Sequence, residues 1–191
     1  MGGKLRKYET HGKHVIAIDE HNNGFQKEGL PMVIVGYIIP NYNKSQKSNE
    51  PFERKKLAYA TRPSKRSEFE RRAKKFLIRN PDFFYTTLSK IDKERFGFYG
   101  RAKAIASVAV KLIDKYQIDP HNTVILVHRI DRPIHTEGVG FALEEILQQT
   151  DLDVPFEIIN STKQNRALKK ADRTAYYLGG LRFHSQIMRW P

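Results

Sequence analysis

Apolar positions along the 191-residue chain fall into short blocks and longer periodic stretches, and together these predict an ordered set of strands and helices. HVIAIDE, from His14 to Glu20, is β-branched and apolar until it closes on two carboxylates, which predicts a strand. The turn signal His21-Asn22-Asn23-Gly24 follows, and Met32 to Ile39 forms a second strand closed by Pro40, so the pair reads as a hairpin with a loose connection. Asn41 to Asn49 is polar and reads as a loop. Ser67-Glu68-Phe69-Glu70 matches a Ser-x-x-Glu capping box, ahead of a helix with Phe69, Ala73, Phe76 and Leu77 on one face and Asn80-Pro81 as its stop.

Phe83 to Leu88 predicts a third strand. Beyond the polar stretch Ser89 to Arg95, a helix over Tyr99–Tyr116 turns Ile105, Ala109, Leu112 and Tyr116 to the core. Thr123 to Ile130 is almost continuously apolar, as a strand covered on both faces must be, and it ends at Asp131. A helix from Val139 to Gln149 carries Val139, Leu143, Ile146 and Leu147 on one stripe. A strand from Pro155 to Asn160 and a helix from Arg166 to Leu181 complete the chain. An early meander followed by helix-linked strands predicts an α/β domain with a mixed five-stranded sheet flanked by helices.

Composition narrows what such a domain does. No cysteine is present, which excludes disulfides and thiolate chemistry and suits a reducing cytosol. The apolar run Met32–Ile39 is too short to cross a bilayer, and the N-terminal MGGKLRKYETHGKH has no signal core, so the expectation is a cytoplasmic protein away from membranes. The net charge of +13 suits a polyanionic partner, namely nucleic acid. Thirteen Lys and Arg against four Glu between Asn41 and Pro81 place +9 of that surplus in one stretch, which reads as a basic loop-helix insertion, residues 41–81, within a single domain 1–191. Arg71, Arg72, Lys74 and Lys75 are its candidate nucleic-acid contacts. Arg132 is a further candidate, and Lys163, Arg166, Lys169 and Lys170, which crowd the approach to Asp172, read either as phosphate clamps there or as a solvated helix face.

Carboxylates stand where burial resists them. Asp19 and Glu20 end the first strand, Asp131 ends the fourth, and Asp172 shares a helical stripe with Leu168, Ala171, Ala175 and Leu178. An ionised carboxylate on a core-facing stripe costs several kcal/mol unless it is paired, and a shared divalent cation would relieve all four. Two such ions about 4 Å apart can stabilise attacking and leaving oxygens in phosphodiester cleavage. Alternation sends Asp19 and Glu20 to opposite faces, so convergence requires the strand to break between them or twist out. Each acid also has a plain structural reading: Asp131 before Arg132-Pro133 as a turn residue, Asp172 as a partner of Arg173 or Lys169. His128 keeps phase with Val124 and Leu126 and reads as a packed histidine. His135 is divided between orienting a water or phosphate and solvent exposure, Tyr176 and Tyr177 between core and base stacking. Gly97-Phe98-Tyr99-Gly100 lacks a phosphate-loop pattern.

AIDE at 17–20, VILVHRID at 124–131 and KKADRTAYYLGGL at 169–181 resemble segments of the type 2 ribonuclease H family, as does SKIDKERFGFYGRAKAIASVAVKLIDKY at 89–116. The likeness covers about two thirds of the chain, with gaps of 1, 111 and 41 residues between successive acids. It implies a ribonuclease H-like fold, Mg²⁺ or Mn²⁺ as cofactor, and Asp19, Glu20, Asp131 and Asp172 as the metal-binding and catalytic residues of a nuclease. The family's Gly-Arg-Gly after the Asp-Glu pair is replaced by His21-Asn22-Asn23-Gly24, a divergence at the segment that reads a junction ribonucleotide. The expectation is a metal-dependent endonuclease, RNA or RNA-containing substrates favoured. The alternative is a nucleic-acid- or ribonucleoprotein-binding protein of the same fold that cuts nothing. A small-molecule phosphoesterase is a third possibility and would need a narrow pocket.

Overall fold

A computed structural model of the chain describes residues 12–21, 31–42, 66–128, 133–150, 152, 154–159 and 166–187, with the backbone alone described at 90, 91, 93, 94, 133–135 and 182–187. Its strands are β1 (His14–His21), β2 (Met32–Ile39), β3 (Phe83–Leu88), β4 (Thr123–His128) and β5 (Phe156–Ile159). Its helices are α1 (Arg66–Arg79), α2 (Lys90–Tyr116), α3 (Pro133–Gln149) and α4 (Arg166–Ile187). The sheet order is β3-β2-β1-β4-β5. β2 runs antiparallel to both β1 and β3, whereas β4 is parallel to β1 and β5 to β4. This is the ribonuclease H-like topology.

Both faces of the central strands are covered, which explains their unbroken apolar runs. Ile16, Ile18, Ile34, Ile125 and Val127 pack against Ile105, Val108 and Leu112 of α2 and Val139 and Leu143 of α3. The alternate positions Val15, Ala17, Val124 and Leu126 pack against Ala167, Leu168 and Ala171 of α4, and Val33 and Val35 against Ala175. α1 joins through Phe69 and Ala73, which pack with Tyr176 and Tyr177, so both tyrosines are core residues. No helix among the described residues is long and apolar enough to cross a membrane.

β2 passes so close beneath α2 that a Cβ on Gly36 would run into Val108 and approach Leu112 Cδ1 to 2.8 Å. Gly36→Ala should therefore destabilise by about 1–3 kcal/mol through overpacking. The readout is thermal melting, and an unchanged midpoint would mean that the helix can lift at no cost.

Helix ends differ from the sequence reading in four places, one of them the end of α4, which runs to Ile187 rather than Leu181. α2 starts at Lys90 rather than Tyr99, so all but the first residue of the polar stretch Ser89 to Arg95 belongs to its opening turns. Ser89 is its N-cap, accepting the Asp92 backbone N–H at 3.0 Å while its hydroxyl donates to the Asp92 carboxylate at 2.6 Å. α3 begins at Pro133, the first-turn position where a missing N–H costs nothing, rather than at Val139. α1 begins at Arg66, so Ser67 lies inside it, and the ion pairs Arg66–Glu70 and Arg72–Glu68 lace its first turns. Asn80 ends α1 as expected, its amide donating to Phe76 O at 2.9 Å. The hairpin connection at 22–30 and the loop and basic stretch at 43–65 lie outside the described residues.

Candidate active site

β1 and β4 lie side by side, parallel, and between them the chain changes direction across the sheet. The meander builds outward from β1 on one side, and β4 and β5 extend the sheet on the other. In open α/β sheets the crevice beyond the carboxyl ends of such strands is where ligands bind. The register pairs Ile18 with Val127, so the next residues, Asp19 and His128, end up beside each other. Both keep phase with the side chains that face α4. Their side chains meet: His128 Nδ1 is 3.1 Å from Asp19 Oδ1, the arrangement of an N–H donating to a carboxylate. The same oxygen accepts the backbone N–H of Glu20 at 2.8 Å. Asp19 is 5% exposed, while the His128 side chain keeps 30%.

Glu20 engages the other face. The Arg101 guanidinium grips it through both oxygens, with Nε donating to Oε2 at 2.7 Å and a terminal nitrogen paired with Oε1. Arg101 is buried and the Glu20 side chain is 15% exposed. Asp19 and Glu20 therefore do not turn their side chains to one face, as the shared-site reading of the sequence requires. The reason is local: β1 stays extended and paired through His21, opposite Val33, so alternation holds past both acids. The two still border one shallow cleft with His128, floored by Ile18, Ile34, Ile105 and Val127.

Asp172 is half-buried on α4. Its neighbour Ala171 belongs to the buried cluster that holds Ala17, and further along α4 a Cβ on Gly179 would come 2.5 Å from the His21 ring, which also meets Tyr176 edge to face at 5.5 Å. Ala175, three residues on, packs with Val33 and Val35, the β2 partners of His21 and Asp19, so Asp172 lies about one turn further back along the helix. Asp131, Arg132 and Lys163 lie outside the described residues, as does the side chain of His135. Among the described residues no three potential metal ligands gather.

The basic candidates divide by partner. Arg71, Arg72, Lys74 and Lys75 are exposed on α1, around the sides left by the Phe69 and Ala73 face that packs on α4. Lys170 is tied into the fold: its ammonium donates to Tyr37 Oη at 3.2 Å and Asn80 Oδ1 at 3.1 Å and lies over the Tyr37 ring. Lys169 is half-buried. Arg166 opens α4, and its backbone N–H donates to the phenol of Tyr42. Burial pushes that phenol above its usual 10.0, opposed by this hydrogen bond and by the Arg166 charge.

Two residues of the site were not singled out for it from sequence. His128 was placed on the correct face, but its neighbour there is Asp19 rather than apolar packing. Arg101 carries a readable signal, since it falls four residues before Ile105 on the core stripe of α2, where a guanidinium requires a buried anion. No family model and no curated protein matches the chain.

Proposed function

We propose that the protein is a divalent-metal-dependent nuclease that hydrolyses phosphodiester bonds, with RNA-containing substrates favoured. The observation that carries this reading is the nearly buried Asp19 carboxylate, held by His128 at the carboxyl ends of adjacent parallel strands. A carboxylate that deep needs positive charge beside it, which an imidazole supplies only when protonated and a divalent cation supplies at any pH. Asp19, Asp131 and Asp172 are the oxygen donors that would hold Mg²⁺ or Mn²⁺, with Glu20 in reach of the same cleft. When bound, the ion lowers the pKa of a coordinated water and stabilises charge on the phosphate. The chain's own part is positional. His128 and the Glu20 N–H fix one Asp19 oxygen, and Glu20–Arg101 anchors the strand end to α2. Arg71, Arg72, Lys74 and Lys75 attract the phosphate backbone.

A second reading, a nucleic-acid- or ribonucleoprotein-binding protein that does not cut, is favoured by one observation: Glu20 already has a bidentate cationic partner in Arg101. Labelled RNA, DNA and RNA–DNA hybrid, incubated with Mg²⁺, Mn²⁺ or chelator, separate the two. The nuclease reading expects cleavage that chelator abolishes, and affinity that falls by about 10³ between 50 and 200 mM salt if some six phosphates are neutralised. Tight, salt-sensitive binding without cleavage in either metal selects the binder, and failure to bind removes both.

A further inference from the structure

β2 is antiparallel to both β1 and β3, so β3 ends at the same edge of the sheet as β1, and β4, parallel to β1, ends there too. The two helices that follow, α2 after β3 and α3 after β4, consequently start at the edge that holds Asp19 and His128. The start of α2 is unusual. Phe96, Phe98 and Tyr99 are 48%, 42% and 40% exposed. They surround Gly97, whose φ of +52° breaks the helix and is open to glycine far more readily than to other residues. Phe98 leans across to α3, where a Cβ on Gly138 would collide with its ring. One turn further along α3 stands Phe141, 73% exposed. Three residues beyond Phe98, Arg101 reaches Glu20.

Cations are interleaved with these rings. The Arg95 guanidinium lies 5.2 Å from the centre of the Phe96 ring. Lys103, exposed, follows Tyr99 by four residues on the same side of the helix. From Ser89 to Lys103 the sequence carries five Lys and Arg against two acids. Water-exposed rings serve a partner that offers flat apolar faces, and interleaved cations serve one that is an anion. Unpaired nucleobases on a phosphate backbone offer both at once.

We propose that Phe96, Phe98 and Tyr99, at the kink of α2, form a base-stacking platform for a single-stranded stretch of nucleic acid at the rim of the Asp19 cleft, with Arg95 and Lys103 on its phosphates. This rests on the nucleic-acid reading above, but not on cleavage. Phe98 is left in place in the test because it also packs on α3.

The experiment is binding of a labelled 15-nucleotide oligouridylate, and of an RNA duplex of equal length, in chelator, by full-length wild type, Phe96→Ala/Tyr99→Ala and Phe96→Trp. Stacking lost at two rings should weaken single-strand binding about tenfold or more, while the duplex, whose bases are already stacked, binds as before. Phe96→Trp should bind the single strand at least as well as wild type. Circular dichroism and melting of the double variant establish that it is folded. Unchanged single-strand affinity, or equal loss on both probes, overturns the platform. So does a wild-type dimer in sizing experiments that the double variant loses, because the rings then serve a second copy of the chain. Cleavage scored on the same preparations keeps the two ideas apart: absence of cleavage with selective single-strand loss overturns only the nuclease, and cleavage without that selectivity overturns only the platform.

Discussion

Asp19→Asn is expected to slow metal-dependent cleavage by about 10³ or more, with the protein still folded. Asparagine keeps the size of the side chain and an oxygen that can accept from the Glu20 N–H and from His128, so the strand end retains its hydrogen bonds. What is lost is the negative charge that holds a divalent cation. Nucleic-acid binding in chelator should persist or tighten, because a charge repelling phosphates is gone. Three measurements on one preparation decide the matter: turnover in Mg²⁺, affinity in chelator, and melting temperature. A variant that melts like wild type and cuts at the wild-type rate per folded molecule would show that Asp19 only shapes the strand end.

The second large effect concerns stability. Arg101→Met should cost about 3–5 kcal/mol, because it strands the Glu20 carboxylate in a site where its side chain is 15% exposed. In a domain of this size that is a melting decrease of about 10 °C. Glu20→Gln leaves the mirror problem, a guanidinium inside the protein without its anion. The double variant Glu20→Gln/Arg101→Met removes both charges and should recover much of the loss, giving a coupling energy of the order of 1–3 kcal/mol. Additive losses would mean that the two side chains act through different contacts. The same variants bear on chemistry: if Glu20 is needed at the metal, Glu20→Gln cuts poorly, whereas Arg101→Met frees the carboxylate and retains turnover per folded molecule.

The strands were legible because burial on both faces leaves few alternatives. Met32–Ile39 matches the sequence reading at both ends, and β1 extends it by His21 alone; the edge strand Phe83–Leu88, with only Leu88 buried, matches through its aromatic and β-branched composition instead. The first turns of α2 were not legible as helix because Lys90 to Arg95 carries a single apolar residue, Ile91, and so no apolar stripe to announce them. The cap Ser89–Asp92 was the available signal. At the site, alternation along β1 correctly separated Asp19 from Glu20, and the break in the strand that would have reunited them is absent through His21. Alternation also put His128 on the right face, but a face is not a neighbour. That Asp19 stands beside it follows from the parallel register of β1 on β4, which no local pattern encodes.

The same register sets an order of assembly. β1 pairs antiparallel with β2, the next strand in the chain, and β2 in turn with β3, yet the parallel partner of β1 lies 109 residues further along the chain, the separation of Asp19 from His128. High contact order of this kind slows folding, because a long loop must close before the pairing rewards it. During synthesis the meander is complete while one edge of β1, VIAI in its middle, still waits for β4 to emerge. An open apolar edge is a template for pairing with other chains. The strand that carries the candidate catalytic acid is thus also the one whose exposure, while the ribosome is still at work, most favours aggregation.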